Sequence, residues 1–182
     1  MRAVRIEQPG SARGLRLVEI EEPVPGPGEI LVDVHATALN RADWLQVLGK
    51  YPPPPGTAPD LPGMEYAGTV RAAGPRAVRF RPGDRVMGLV PGAAFCERLV
   101  THEREGMPVP DPVSLTEAAA IPEAFDTAFD ALVLQGRLGA GERVLVHAIA
   151  SGVGTAALQI AHAAGATVLG TGRNASKLER AA

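Results

Sequence analysis

The sequence predicts an α/β chain in which a β-rich first part is followed by a βαβ unit. Three observations carry this expectation. From Met1 to about Val113, short apolar stretches recur between turn signals at roughly ten-residue intervals, the spacing of short strands in a barrel or sandwich. At Ser114 the pattern turns helical. From His147 the segment "HAIASGVGTAALQIAHAAGATVLGTGRN" reads strand, glycine turn, helix and second strand. That alternation requires parallel strands joined by a right-handed crossover.

The elements follow in order. "MRAVRIEQ", "LRLVEIEE", "EILVDVHATAL", "AGTVRAAG", "DRVMGLV" and "CERLVTH" each alternate apolar and polar positions, as half-buried strands do. Between them "PVPGPGE", "YPPPPGTAPDLPG" and "RPGD" break the ladders, because proline fixes φ and has no donor while glycine accepts positive φ. "SLTE" at Ser114–Glu117 is a capping box, in which the Ser hydroxyl and the Glu carboxylate each accept the other residue's backbone N–H. The alanine-rich stretch after it contains Pro122, which cannot donate an intrahelical bond, so two short helices with a break near Ile121 are expected. "GERVLVHA", "GVGTAALQIAHAAG" and "TVLGTG" then supply strand, helix and strand, with Gly165 closing the helix. The expected domains are 1–113 and 114–182.

Composition narrows the function classes. With 182 residues, 46% of them hydrophobic, the chain can fill one good-sized core or two small ones. No apolar run approaches the roughly 20 residues of a membrane helix, and "MRAVRIEQPG" lacks the layout of a secretion signal. Membrane partners are not expected, and the cytoplasm is the default location. A net charge of −2 with mixed signs offers no basic stripe for nucleic acid. The single cysteine, Cys96, suits a reducing compartment and reads as a small core hydrophobe. His35, His102, His147 and His162 show no metal spacing and read as local structural residues, and Trp44 reads as core, with a wall of the pocket as the competing reading.

The glycine turn carries the chemistry. A backbone that approaches a pyrophosphate closely needs small residues between strand and helix, where the helix N-terminus directs free N–H groups at the phosphates. Ser151, Gly152, Val153 and Gly154 sit there, and the small fingerprint positions are Ala148, Ser151 and Gly154. An NAD site places Asp or Glu at the end of the second strand, about 20 residues on, to bind the ribose 2′-hydroxyl. Here that region is "GTGRNASK", where Arg173 and Lys177 would attract a 2′-phosphate and Ser176 could donate a further bond. NADPH is therefore the expected cofactor; the competing reading makes Arg173 and Lys177 solvated surface charges.

"ALNRADWLQVLGKYPPPPG", "LPGMEYAG", "PGDRVMGLV", "AAAIPEAFDTAFDAL" and "VHAIASGVGTAALQIA" together closely resemble the zinc-free quinone oxidoreductases of the medium-chain dehydrogenase/reductase superfamily, the zeta-crystallin group. The "NRAD", "IPEA" and "SGVGTAA" phrasing is most similar to the tumour-suppressor-induced branch. The resemblance implies a GroES-like β-domain followed by a Rossmann domain. In zinc-dependent relatives a cysteine ligand stands at the position of Asn40 and a histidine ligand at that of Met64, and neither Asn nor Met suits catalytic zinc. No metal is expected.

The implied activity is hydride transfer from NADPH to an electron-poor quinone. By similarity Asn40 and Tyr51 line the nicotinamide and substrate pocket, Asp43 orders the loop or orients a water, Thr127 hydrogen-bonds near the nicotinamide, and the Ser151–Gly154 turn carries the pyrophosphate. Tyr51 beside four prolines reads equally as packing on their rings, and Asn40 as a turn residue. Members of the group are longer than this chain, so it is expected to be a truncated form or fragment whose full-length form is a homo-oligomer. The rival readings are a non-enzymatic binding module and an NADPH-dependent reductase of an activated enone.

Overall fold

A computed structural model describes residues 1–180. The chain divides into two compact units, Met1–Pro122 and Glu123–Ala182.

In the first unit, β1 (Arg2–Ile6) and β2 (Leu15–Glu19) form an antiparallel hairpin. A five-stranded antiparallel sheet follows, built from β3 (Glu29–Ala36), β4 (Glu65–Ala73), β5 (Arg85–Leu89), β6 (Arg98–His102) and β7 (Gly106–Pro108) in the order β6-β3-β4-β5-β7. The predicted alternation sets its two faces. Ile30, Val32, Tyr66, Val70, Val86 and Leu99 point into one cluster with Phe80 and Val90. Ala67 and Met87, from the opposite face, pack with Val109, Ala118 and Ala119. β4 is thus buried on both sides, and each large side chain withdrawn from water contributes about 1.5–3 kcal/mol. A short helix, α1 (Arg41–Val47), follows β3 and buries Asp43, Gln46 and Val47. Trp44 is 42% exposed, which corrects its assignment to the core: the buried positions of α1 are Asp43, Gln46 and Val47.

The capping box forms. Ser114 Oγ accepts the Glu117 N–H at 3.2 Å, and Glu117 Oε2 accepts the Ser114 N–H at 2.9 Å. It opens α2 (Leu115–Ala118), whose alanines belong to the first unit's second cluster. The compact division therefore falls after Pro122 rather than Val113.

The second helical stretch begins on Pro122, where a missing N–H costs nothing because a helix's first donors have no intrahelical partner. It is wider than an α-helix: π-helical segments Pro122–Asp126 and Asp130–Gln135 flank α3 (Thr127–Phe129). In the second unit β8 (Arg143–His147) and β9 (Thr167–Thr171) are parallel and paired in register from Arg143↔Thr167 to His147↔Thr171. The crossover helix α4 (Gly152–Ala163) packs against both strands and against α3. A short α5 (Ala175–Glu179) follows. Among the described residues no helix is long and apolar enough to cross a membrane.

Candidate functional site

In the first unit two candidate residues, Asn40 and Asp43, meet at the start of α1. Asn40 is its N-cap, with extended backbone (φ −105°, ψ 161°). Its backbone N–H donates to Asp43 Oδ2 at 2.7 Å, and its side-chain Nδ2 donates to Glu65 Oε1 at 2.6 Å. Glu65 is the first residue of β4 and 1% exposed, and its carbonyl accepts the Thr37 hydroxyl at 2.7 Å. Burial raises the Asp43 carboxyl above its ordinary value, and the nearby Glu65 charge adds to the rise. The Asn40 N–H works against them.

Asn40 and Asp43 therefore form one cluster, and its third member, Glu65, was not foreseen. The only sequence signal was a single carboxylate opening the otherwise apolar strand "EYAGTV". Tyr51 lies elsewhere. It lines a groove of about 340 Å³ with Ile6, Gln46, Pro52, Pro53 and Pro59, whose walls include neither Asn40 nor Asp43. Cys96 is half-buried against the first cluster, and burial pushes its thiol up to about 11.

In the second unit the turn has the expected strand-to-helix setting. Ala148 takes the left-handed conformation (φ +53°), unusual for a residue with a Cβ. Ser151 caps α4, its Oγ accepting the Gly154 N–H at 3.1 Å. The two glycines do different work. A Cβ on Gly154 would lie 2.4 Å from the Ala148 carbonyl oxygen and 2.6 Å from that of Ile149, so this position is closed by packing. A Cβ on Gly152 would meet nothing within 4 Å. That open face is what a pyrophosphate approaching the polypeptide backbone closely requires.

Val153, the third residue of the turn, is 38% exposed. A pocket of about 300 Å³ beside the turn is lined by Ala150, Thr155, Lys177 and Arg180. Lys177 is brought to it, Arg173 is not among its walls, and Arg180 is a second cation that the sequence reading did not single out. The Thr127 hydroxyl donates to the Glu123 carbonyl at 2.6 Å, which commits its proton to the helix and leaves only its oxygen as an acceptor. No group of three or more His, Cys, Asp and Glu side chains able to hold a metal stands among the described residues.

Against known families, residues 26–125 match the alcohol dehydrogenase GroES-like domain. The chain belongs to that family. This GroES-like chain is also a member of the medium-chain dehydrogenase/reductase superfamily. It is 47% identical over 153 residues to erythronolide synthase EryA2 of Saccharopolyspora erythraea, covering 84% of this chain and 4% of that one. Two solved structures superpose closely. The quinone oxidoreductase of Pseudomonas syringae pv. Tomato DC3000 matches with a TM-score of 0.90 at 34% identity, over 99% of this chain and 55% of that one. The CurK enoyl reductase matches with a TM-score of 0.90 at 32% identity, over 98% and 56%. The GroES-like chain thus spans just over half of the two solved chains and a small part of the synthase. Its first unit is the GroES-like β-domain, and its second carries a βαβ unit of Rossmann type.

Proposed function

We propose that this chain serves an NADPH-dependent reductase that delivers hydride, without a metal, to an electron-poor conjugated acceptor. The observation that carries the reading is the open face at Gly152 beside the pocket walled by Lys177 and Arg180. Free N–H groups at the start of α4 suit a pyrophosphate. Two cations, with no acidic residue from Gly170 to Lys177, suit a 2′-phosphate and disfavour the bare ribose hydroxyls of NADH. The chain's residues would hold the cofactor through Ser151–Gly154, Lys177 and Arg180, and NADPH when bound supplies the hydride.

The first unit's contribution is a polar cluster without a zinc donor set. Asn40 and Met64 are poor ligands for catalytic zinc. An acceptor reduced without a Lewis acid must itself be electron-poor. Quinones meet that condition and are the first reading. An enoyl or enone double bond is the second, favoured by the 47% identity to a polyketide synthase and by the fold shared with an enoyl reductase.

The test is cofactor affinity followed by turnover. NADPH is expected to bind more tightly than NADH, and Lys177→Ala or Arg180→Ala should each narrow the gap by about 1.5–3 kcal/mol, the range of a charged hydrogen bond. Equal affinities for the two cofactors would end the 2′-phosphate assignment. NADPH oxidation with 1,2- and 1,4-quinones, run beside an enoyl thioester, then separates the two acceptor classes.

A further inference from the structure

We infer that Glu65 is the positioning residue for Asn40, fixing its carboxamide so that Asn40 meets a ligand through its carbonyl oxygen, as an acceptor. The inference rests on the proposed reading only in giving Asn40 a ligand to meet.

The geometry is specific. A carboxylate can only accept, so the carboxamide must turn its NH2 edge toward Glu65 Oε1, and the planar amide then carries its Oδ1 away from that partner. At 2.6 Å the bond is short, as charge-assisted bonds are. Neither end of the contact is free to drift. On one side the Asn40 backbone N–H is held by Asp43 at 2.7 Å. On the other, Glu65 is fully buried, paired with Leu89 of β5 and tied through its carbonyl to Thr37.

A free asparagine at a helix start presents either edge of its amide. In this one Glu65 takes the NH2 edge, and the Oδ1 edge, which faces the Asp43 backbone N–H in the capping box of α1 and keeps a second lone pair, suits donors, such as a carboxamide N–H or a sugar hydroxyl. Burial first, and then the Glu65 charge, raise the neighbouring Asp43 carboxyl above its ordinary value, which accords with a second carboxylate held close by. A buried polar contact made on both sides, as Asn40 and Glu65 make it, rigidifies the groups it holds.

The test has two arms on the 182-residue chain. The first is the side-chain amide spectrum of 15N-labelled protein, with the Asn40 pair identified by its loss in Asn40→Ala. One proton of that pair is expected downfield and slow to exchange. In Glu65→Gln, whose neutral oxygen is a weaker acceptor, it should move upfield; in Glu65→Leu it should join the ordinary exposed amides. An unchanged Asn40 pair in Glu65→Gln would overturn the inference, and that variant decides the matter even if the leucine variant does not fold.

The second arm is the dissociation constant for free nicotinamide, whose carboxamide N–H is such a donor. Asn40→Ala and Glu65→Leu should each weaken binding by about tenfold, and the double variant no further, because residues acting through one contact are not additive. Losses that multiply to about a hundredfold would show Glu65 acting independently of Asn40. If the unaltered chain binds no nicotinamide, Asn40 has no such ligand to meet, while the amide spectrum still decides whether Glu65 holds Asn40.

Discussion

Two buried carboxylates of the first unit illustrate how a partner decides what burial does. Glu103 accepts the backbone N–H of Arg79 at 2.6 Å and of Val78 at 2.7 Å. The Arg79 amide, foremost, holds it below its ordinary 4.5 against the opposing effect of burial. A carboxylate whose folded value is depressed stabilises the fold above its unfolded value, and that contribution is lost as pH falls through the folded one. Glu103→Gln should therefore lower the urea midpoint at neutral pH, with the deficit closing as pH drops below about 4.5. Asp43 is the opposite case: burial raises it above its ordinary 3.8. Its ionisation costs stability as pH climbs from that value through the folded one. Asp43→Asn keeps an acceptor for the Asn40 N–H, and it should lose less stability than the unaltered chain over that climb. Wild-type and variant midpoints that run parallel across pH would refute either assignment.

At the scale of elements, the glycine turn separates packing from binding. Gly154→Ala would drive a Cβ into the carbonyls of Ala148 and Ile149, and overpacking of this kind costs about 1–3 kcal/mol. Gly152→Ala meets open space and replaces a poor helix former with a good one, a gain of up to about 1 kcal/mol. The first variant should melt early. The second should melt at or above the parent temperature while binding NADPH more weakly, and a Gly152→Ala chain with undiminished NADPH affinity would show that the open face is not the phosphate site.

The same elements show what was legible beforehand. Strand alternation, the Ser114 capping box, the break before Pro122 and the turn at Ser151 are local in sequence, so each could be read in place. The π-helical widening at Pro122–Asp126 and Asp130–Gln135 could not, because a bond to the fifth residue rather than the fourth has no residue signature. Glu65 reads from sequence as an ordinary charge at a strand end, and only the return of α1's start to β4 makes it a buried partner. Arg180 lies one turn beyond Lys177, and the turn of α5 brings both to one pocket.

At the scale of the whole molecule, the two units have unequal cores. The first encloses Ile30, Val32, Tyr66, Val70, Phe80, Val86 and Leu99 in one cluster and has a second cluster beneath α2. The second unit's fully buried cluster is Ala128, Ala156 and Ala157, ringed by half-buried neighbours such as Phe125 and Val146. Three alanines withdraw far less apolar area than the first unit's aliphatic and aromatic side chains, and stabilisation scales with that area. Parallel strands are ordinarily covered on both faces. Here α4 packs on one face, while Leu145 and Leu169, paired across β8 and β9, are each 55% exposed. Local opening free energy follows buried contact, so amides of β8 and β9 should exchange with deuterium faster than those of β3, β4 and β5. Exposed paired leucines on a short sheet also favour self-association, so Leu145→Thr with Leu169→Thr should shift the chain toward monomer in sedimentation without lowering its melting temperature. Equal protection across both sheets, or a double-threonine variant that melts early, would mean that the leucines of β8 and β9 are buried rather than exposed.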